Sequence, residues 1–516
     1  MSQNLIEKTL IKPVESYWIA STPKTDYASL QNNIKTDILV VGGGITGITT
    51  AYLLQKEGFD VVIIDTNRIA ESTSGHTTAK ITSLHDLKYS KLITQLGKEG
   101  AQQYGEINEN AILMIEKIIS ENSINCDFSK QSSYVYTQDE KYLEKIEEEV
   151  NAASSIGLPA SFKSKIDLPL EIEGAICFDN QAQFHPRKYL LALAEIFVKK
   201  GGHIYENTTA IDIHEERDIH EYSECTTSTR DGFSIISNKV VVASHFPFYD
   251  GGGFYSARMF AQRSYGLAVR ALKKIPGGMY ISYENPVRSI RTQPIDNENQ
   301  LIIIGGEHHK TGEGSHEKEH YTNLIKFAEE IFSATDVPYR WSAQDYTAMN
   351  EIPFIGHISA YKHNIFVATA FQKWGMTTST VSAMIIRDII TNGKTEVEYI
   401  FKPTRFTPVD SAKNFVKENL DVVDNLISGK IQSLPLEINL EPGEAKNVEV
   451  DGKKAGAYRD MDGKIFIVDT TCKHLGCETH WNSAEKTWDC PCHASRYSYD
   501  GTVVEGPALK PLDRIR

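Results

Sequence analysis

The chain has 516 residues, of which 41% are hydrophobic and 24% are charged, and its formal net charge is −14. Length and composition predict a globular protein of about two to four domains with an ample core. The negative charge excludes general binding to nucleic acid, which is itself a polyanion. Neither a signal-like start nor an uncharged apolar stretch of about eighteen residues is visible, so we expect a cytoplasmic protein without a membrane span.

A βαβ pattern occupies residues 37–65. An apolar strand leads into Gly42-x-Gly44-x-x-Gly47, a helix follows, and a second apolar strand ends at Asp65. In a dinucleotide fingerprint such glycines allow a tight turn, close approach of the pyrophosphate, and packing of the helix on the strand. The helix N-terminus offers N–H groups to the phosphates, and Asp65 can accept hydrogen bonds from the adenosine ribose. The fingerprint alone does not separate FAD from NAD.

Later segments carry features that the fingerprint lacks. They are the loop Ser72–Ala79, a helix beginning at Gln183 with a strand reaching Ala210, the strand Lys239–Ser244, and the stretches Asn350–Gly356 and Asn364–Thr377. Together these segments resemble the D-amino-acid oxidase/glycine oxidase superfamily of FAD enzymes, over roughly residues 15–400. The resemblance implies an α/β fold in which a Rossmann-like FAD-binding domain carries a β-rich substrate subdomain.

The resemblance also assigns the FAD site. The expected cofactor-binding residues are Gly42, Gly43, Gly44, Ile45, Thr46, Gly47, Asp65, Thr66, Ser74, Gly75, His76, Thr77, Thr78, Ala79, Ala210, Ala243, Ser244, Gly356, Gly375, Met376 and Thr377. The helix that begins near Gly375 is expected to point its N-terminus at the pyrimidine end of the flavin, where its dipole would stabilise an anionic reduced ring. The chain departs from the family pattern at Asn350-Glu351 and at Phe371-Gln-Lys-Trp374, which leaves the substrate undetermined.

Two residues raise separate hypotheses. His76 lies where dimethylglycine-dehydrogenase-like relatives carry the histidine bonded to the flavin 8α carbon, and the alternative is a polar loop residue near the phosphates. Arg291 falls where several relatives place a cationic residue near the flavin. Its guanidinium could clamp a substrate carboxylate, or it could form a structural ion pair. We therefore carry Arg291 only as a weak candidate for substrate binding.

The middle of the chain predicts supporting structure. The runs Tyr280–Tyr283 and Leu301–Gly306 predict strands of the substrate subdomain, and the charged residues 137–152 predict a solvated helix. Glu307-His308-His309 resembles a metal motif, but adjacent histidines on a strand point in opposite directions and seldom bind one ion. Residues 401–435 are interpreted as a linker with a helix over Ser411–Ile427.

The last forty-five residues contain two Cys/His loops. Cys472-x-His474 and Cys490-x-x-His493 present two thiolates and two imidazoles, which is the ligand set of a Rieske [2Fe–2S] cluster. A structural zinc site is the alternative for four such ligands. Zinc does not account for the extra cysteine that each loop carries.

Those loops and the residues after them, through Gly506-Pro507, resemble Rieske proteins. The resemblance implies a disulfide between Cys477 and Cys492 that clamps the two loops. It also implies that Ser495 and Tyr497 donate hydrogen bonds to the cluster sulfurs, which would raise the reduction potential. A disulfide is unusual in a reducing cytosol, but burial between the loops could protect it.

These inferences combine into one expected organisation. Residues 1–400 form an FAD-dependent oxidoreductase, 401–435 a linker, and 436–516 a small all-β Rieske domain. The expected function is dehydrogenation of a small amine or amino acid, with electrons passing from flavin to the Rieske cluster and then to an unidentified acceptor. The alternative is an electron-transfer module with no organic substrate of its own.

Overall fold

The computed structural model describes residues 2–216, 224–313, 317–405, 439–450 and 452–515. Within these ranges no helix is both long and apolar enough to span a bilayer. The α-helices are α1 (Ser2–Leu10), α2 (Tyr17–Ala20), α3 (Ile45–Lys56), α4 (Tyr89–Glu121), α5 (Leu143–Ser155), α6 (Pro186–Lys199), α7 (Tyr255–Arg258), α8 (Glu317–Phe332), α9 (Gly375–Asn392) and α10 (Glu398–Phe401).

The strands divide among four sheets. They are β1 (Ile34–Val41), β2 (Val61–Ile64), β3 (Lys80–Ile81), β4 (Ser129–Thr137), β5 (Ala160–Lys163), β6 (Gly174–Gln183), β7 (His203–Tyr205), β8 (Ala210–Glu215), β9 (Cys225–Thr229), β10 (Ser234–Val242), β11 (Met259–Ala271), β12 (Met279–Ser282), β13 (Arg288–Pro294), β14 (Gln300–Lys310), β15 (Ala334–Ala348), β16 (Phe354–Ser359), β17 (Lys362–Thr369), β18 (Ala445–Val450), β19 (Lys453–Arg459), β20 (Ile465–Asp469), β21 (His480–Asn482), β22 (Thr487–Asp489), β23 (Arg496–Ser498) and β24 (Val503–Glu505).

The first sheet is the predicted dinucleotide-binding sheet. Its order is β16-β17-β10-β1-β2-β7, with β8 and β9 attached beside β10, and β1 pairs in parallel with both β2 and β10. Helix α3 crosses from β1 to β2 and packs against α9. Every residue of β2 is buried because a parallel sheet is covered on both faces. The carboxyl ends of β1 and β2 therefore meet at one edge, where ligands bind in such folds.

The second sheet is the β-rich subdomain. Its order is β15-β11-β14-β13-β12-β4-β6-β3, with β5 added beside β6, and its longest strands pair antiparallel. Helix α8 packs against β11, β14 and β15. The predicted strands at 280–283 and 301–306 correspond to β12 and β14, and the predicted charged helix corresponds to α5.

The C-terminal part is all-β, as predicted. A three-stranded sheet (β18-β19-β20) stands beside a four-stranded one (β21-β22-β23-β24), and the buried Trp488 packs against Gly456 of the first of them. The predicted linker at 401–435 and its helix over Ser411–Ile427 lie almost entirely outside the described residues. The α/β class with a C-terminal all-β domain is confirmed.

Candidate functional site

A cavity of about 890 Å³ opens between the two large sheets. Residues from the ends of β1, β2 and β10 line it on one side, and residues of β11, β14 and β15 line it on the other. Of the residues predicted to bind FAD, those that line it are Gly42, Gly44, Ile45, Thr46, Asp65, Thr66, Ser74, His76, Thr77, Thr78, Ala210, Ala243, Ser244, Gly375 and Met376.

The remaining predicted residues support this lining from behind. They are Gly43, Gly47, Gly75, Ala79, Gly356 and Thr377. The Gly43 amide donates to Asp65 Oδ2 at 2.7 Å, and Thr377 Oγ1 donates to Thr82 O at 2.9 Å. Gly356 faces Pro403 instead of the cavity. These six residues are not among the described residues that line the cavity, and their assignment to the FAD site stays a prediction.

Backbone geometry explains the fingerprint. Gly42 has φ +116°, and a Cβ there would lie 2.4 Å from the carbonyl oxygen of Ala243. At Gly47 a Cβ would lie 1.8 Å from the Gly42 carbonyl oxygen, so only glycine lets α3 pack this closely. Ser74 Oγ accepts from the Ile45 amide at 3.0 Å, which brings the predicted loop to the N-terminus of α3. This cradle fits a pyrophosphate.

Asp65 stands at the adenosine end of the cradle. Burial raises the pKa of its carboxyl to about 6, although the amides of Asn67 and Gly43 oppose that shift. Its two oxygens accept from these amides, so the carboxylate orders the turn as well as facing the cavity.

His76 lies on the cavity wall. Its Nδ1 is 2.9 Å from the carbonyl oxygen of Ser72, and its own carbonyl oxygen accepts from Trp341 Nε1 at 2.8 Å. Burial lowers the pKa of the imidazole, which favours the neutral ring. Nε2 is thus the ring nitrogen that could approach a flavin.

The part of the cavity away from the fingerprint carries ionisable side chains of both signs. Lys88 Nζ donates to the carbonyl oxygen of Glu351 at 2.9 Å and to Gln372 Oε1 at 3.0 Å, and burial lowers the pKa of Lys88 to about 8. Lys373 and Asp345 also line the cavity. Burial lowers the pKa of Lys373 and raises that of Asp345 to about 7, and each charge partly offsets the shift of the other. Lys373 is exposed to solvent and lines the cavity, although protein atoms lie around its ammonium group.

The adjacent histidines separate as expected for a strand. His308 lines the cavity, and burial lowers its pKa to about 4. His309 instead stacks on His320, with ring centroids 4.6 Å apart.

Arg291 does not support the substrate-clamp hypothesis. The guanidinium is fully buried and donates to the carbonyl oxygens of Ala79 and Phe184 at 2.7 and 3.0 Å. It also bonds the carbonyl of Thr292 and the side chain of Gln293, and it lies over the Trp18 ring. The lining of the cavity, within the described ranges, does not include it. Its role in this structure is to join strands and loops.

Sequence reasoning missed the ionisable groups of the cavity. Lys373 falls in the stretch Phe371–Trp374, where the chain departs from the family pattern, and that departure was the available signal. Lys80 directly follows the predicted loop, and its ammonium group donates to Tyr280 O and Ser289 Oγ. Asp345 and Lys88 belong to no motif, so only the fold brings them together.

The two Cys/His loops of the C-terminal part meet as predicted. Each loop is closed by backbone hydrogen bonds, from Cys472 N to Cys477 O at 2.8 Å and from Ala494 N to Cys490 O at 2.9 Å. The imidazole rings of His474 and His493 have centroids 4.9 Å apart. Both Nδ1 atoms are buried and lack a hydrogen-bond partner among the described residues.

The thiols of Cys472 and Cys490 are buried and unpaired with any other cysteine. A hydrogen bond with Cys490 lowers the pKa of Cys472, and hydrogen bonds from the Tyr497 and Ser495 hydroxyls lower it further. The lower pKa favours the thiolate form that binds metal. Tyr497 Oη is 3.3 Å from Cys472 Sγ. Two thiols and two unpartnered imidazole nitrogens match the donor set of a Rieske cluster.

The predicted disulfide between Cys477 and Cys492 is formed. It joins the two loops that carry the candidate ligands. The sulfurs of Cys477, Cys490 and Cys492 lie within 4.8 Å of one another, which shows how closely the loops approach.

The C-terminal domain docks on the second sheet next to the cavity. Arg263 of β11 is 1% exposed and pairs with Glu485 at 3.3 Å and with Glu505 at 3.1 Å, both from the C-terminal domain. Arg496 of that domain pairs with the same two acids and with Asp489 at 3.1 Å. Gln344 Nε2 donates to the carbonyl oxygen of Ala494 at 3.0 Å, in the cluster loop itself. We call this set of contacts the docking interface.

Comparison with known families finds a match for the FAD-binding half and another for the C-terminal domain. The chain belongs to the FAD dependent oxidoreductase family, whose profile matches residues 37–389, and the Rieske [2Fe-2S] domain profile matches residues 432–516. It is therefore an FAD-dependent oxidoreductase that carries a Rieske domain, and its cofactors are FAD and a [2Fe–2S] cluster.

Individual relatives and solved structures resemble the chain over most of its length or over its FAD-binding half. The chain is 43% identical over 502 residues to the putative Rieske 2Fe-2S iron-sulfur protein YhfW of Bacillus subtilis, covering 97% of each chain. Glycine oxidase from Geobacillus kaustophilus shares the fold with a TM-score of 0.60 and 16% identity, over 72% of this chain and 99% of that one. L-proline dehydrogenase from P. horikoshii does so with a TM-score of 0.58 and 18% identity, over 72% and 98%.

Proposed function

We propose that the chain dehydrogenates a small amino acid or amine in the cavity and that the electrons leave through its own Rieske domain. The observation that carries the proposal is the pairing, in one cavity, of a dinucleotide cradle with ionisable side chains of both charges. Lys88 and Lys373 suit a substrate carboxylate, and Asp345 suits an amine. Two solved structures that share the fold are named for glycine and L-proline oxidation.

The net reaction removes two electrons and two protons from the substrate. The C–H bond next to nitrogen breaks with its electron pair, the N–H proton goes to a base, and water hydrolyses the resulting imine to a carbonyl and ammonia or an amine. When bound, FAD takes the electron pair as hydride, and the cluster carries electrons one at a time.

Asp345 is the candidate base. A carboxyl whose pKa lies at about 7 is partly deprotonated at neutral pH, so it can accept the proton of a substrate ammonium group. Lys373 interacts electrostatically with Asp345, which places a carboxylate-binding cation beside the proton acceptor. Two of the three N–H groups of Lys88 are held by protein acceptors, and the third can serve the substrate.

A row of aromatic rings supports electron transfer from the cavity to the Rieske cluster. Tyr346 and Phe246 both line the cavity, and their centroids are 5.1 Å apart. Phe246 lies 6.1 Å from the ring of His474, which in turn lies 4.9 Å from that of His493. The two electrons would pass singly along this contact to the candidate ligands Cys472, His474, Cys490 and His493, and from there to an external one-electron carrier.

The test is anaerobic mixing of the holoprotein with a panel of amino acids and amines. Bleaching of the flavin absorbance together with the EPR signal of a reduced Rieske cluster is the expected result. The alternative, an electron-transfer module without its own substrate, predicts no bleaching by any member of the panel but bleaching by a reduced one-electron carrier.

A further inference from the structure

The C-terminal domain reaches beyond the docking interface into the cavity. Residues Val503, Val504, Pro507 and Leu509 line the same cavity as the fingerprint glycines and Asp65. We define the cavity segment as residues 503–511. These residues belong to the Rieske match at 432–516, whereas the FAD family match ends at residue 389.

Three contacts hold the cavity segment on the flavin-binding half. Arg263 pairs with Glu505 at 3.1 Å, the Tyr346 hydroxyl donates to the carbonyl oxygen of Gly506 at 3.4 Å, and Arg230 Nη2 donates to that of Leu509 at 2.5 Å. The contacts follow one another along the segment, so its path across the cavity is fixed at several points.

The last contact locates one end of the segment. The Arg230 amide donates to the carbonyl oxygen of Thr209 at 2.9 Å, and the Thr208 amide donates to that of Asp65, the predicted ribose acceptor, at 2.8 Å. Leu509 therefore lies near the adenosine end of the cavity. Val504 lines the cavity and is 45% exposed, so it has apolar surface that the described protein atoms leave uncovered.

We propose that the cavity segment is part of the FAD site and covers the ADP half of the cofactor. The adenosine packs against apolar side chains of this segment, those of Val504, Pro507 and Leu509. The FAD-binding half alone does not form this side of the site. Docking of the Rieske domain and retention of FAD are then thermodynamically linked, and each strengthens the other by the same factor. The inference does not depend on which substrate is oxidised.

The test uses the full-length holoprotein and measures FAD release by the rise in flavin fluorescence. The double variant Val504→Ala/Leu509→Ala should release FAD about tenfold faster, because two apolar contacts with the cofactor are truncated. The matched control is Ile465→Ala, an apolar residue of the same domain that is 37% exposed and does not line the cavity. The control should release FAD at the wild-type rate.

A second measurement tests the proposal on the wild-type protein, without any variant. Hydrogen exchange of residues 503–511 should be slower with FAD bound than after FAD is stripped, while the EPR signal of the cluster is unchanged. Release from the double variant within about twofold of wild type, or equal exchange with and without FAD, overturns the proposal. Glu485→Lys disrupts the docking interface and should also release FAD faster. If proteolysis shows that this variant is undocked and it still releases FAD at the wild-type rate, the proposal is wrong.

Discussion

Asp345 shows how the fold changes the chemistry of one residue. As a carboxyl in water it would have a pKa near 3.8, and burial in the cavity raises that pKa to about 7. If Asp345 accepts the substrate proton, the rate of flavin reduction should rise as the pH increases through about 7. Asp345→Asn should lose that rise and react about 10²–10⁴-fold more slowly. Anaerobic stopped-flow across pH measures both effects, and an unchanged profile in the variant would assign the base elsewhere.

Lys373→Met, compared with Asp345→Asn, separates substrate binding from proton transfer. It removes a cation without removing the proposed base, so it should mainly raise the substrate concentration needed for half-maximal flavin reduction. The rise with pH should remain but move to higher pH, because the charge of Lys373 lowers the pKa of Asp345 in the wild type. Loss of the profile here as well would mean that the two groups act as one unit.

The fingerprint glycines allow a sharper test of cofactor binding. Gly44→Val should abolish FAD retention while sparing the cluster, because the side chain would occupy the place of the pyrophosphate. The nearest atom to a Cβ at Gly44 is Ser74 Oγ, at 3.1 Å, so the fold itself has room for a small adjustment. Gly47→Ala should instead destabilise the whole domain, since its Cβ would meet the Gly42 carbonyl at 1.8 Å. Flavin content, EPR and thermal unfolding distinguish these outcomes.

At this scale the sequence predicted some residues well and others not at all. Gly42 and Asp65 stand in a motif whose geometry is local, so spacing alone located them. Arg291 was placed near the flavin by position in the chain, but four protein acceptors surround its guanidinium. Lys88 and Asp345 face one cavity because distant loops and strands pack together, and no local pattern encodes that.

Among the elements, the turn between β21 and β22 carries the key acid of the docking interface. Although burial alone would raise the pKa of Glu485, Arg496 and Arg263 lower it to about 2. The folded pKa lies below the ordinary value of 4.5, so the stability from these ion pairs is present above pH 4.5 and is lost as the pH falls toward 2. Glu485→Gln should cost about 3 kcal/mol of unfolding free energy at neutral pH.

Urea unfolding of Glu485→Gln across acid pH provides the measurement. Its stability should fall less steeply than that of wild type as the pH drops below 4.5. Glu444→Gln is the control, because the pair of Glu444 with Lys446 is on the surface and should matter little. Equal acid sensitivity in Glu485→Gln and wild type would contradict the assigned role.

Element prediction succeeded where the hydrophobic period was clear. Strands β1 and β2 and helix α3 follow from their apolar runs and glycines, and β12 and β14 follow from aromatic and β-branched residues. The order of the nine-stranded sheet could not be predicted, because β4 pairs with β12 across more than a hundred residues. Such pairing depends on the whole core and not on local propensity.

For the whole molecule, the central question is whether the two cofactors work in series. Cys490→Ala should remove the cluster but leave flavin reduction by substrate nearly intact. Turnover with an external one-electron acceptor should fall about tenfold or more, because the tethered acceptor is lost. Cys126→Ala, a buried free thiol of the FAD-binding half, is the control. Equal turnover in Cys490→Ala and wild type would show that electrons bypass the cluster.

Domain identity was predictable, but domain contact was not. The ligand spacing of the C-terminal loops is a strong local signal, and the disulfide followed from the resemblance. Nothing in the sequence around Arg263, Gln344 or Tyr346 marks them as contacts for another domain. They became recognisable only when the fold placed them opposite Glu505, Ala494 and Gly506.

The position of the cavity segment in the chain bears on how the holoprotein is assembled. Residues 503–511 emerge from the ribosome after the entire FAD-binding half, so that half can fold while its cavity still lacks this wall. FAD would then enter from the side that the Rieske domain later covers, and the iron–sulfur loops would dock last. FAD that binds during synthesis would therefore meet a more open cavity than free FAD does after docking.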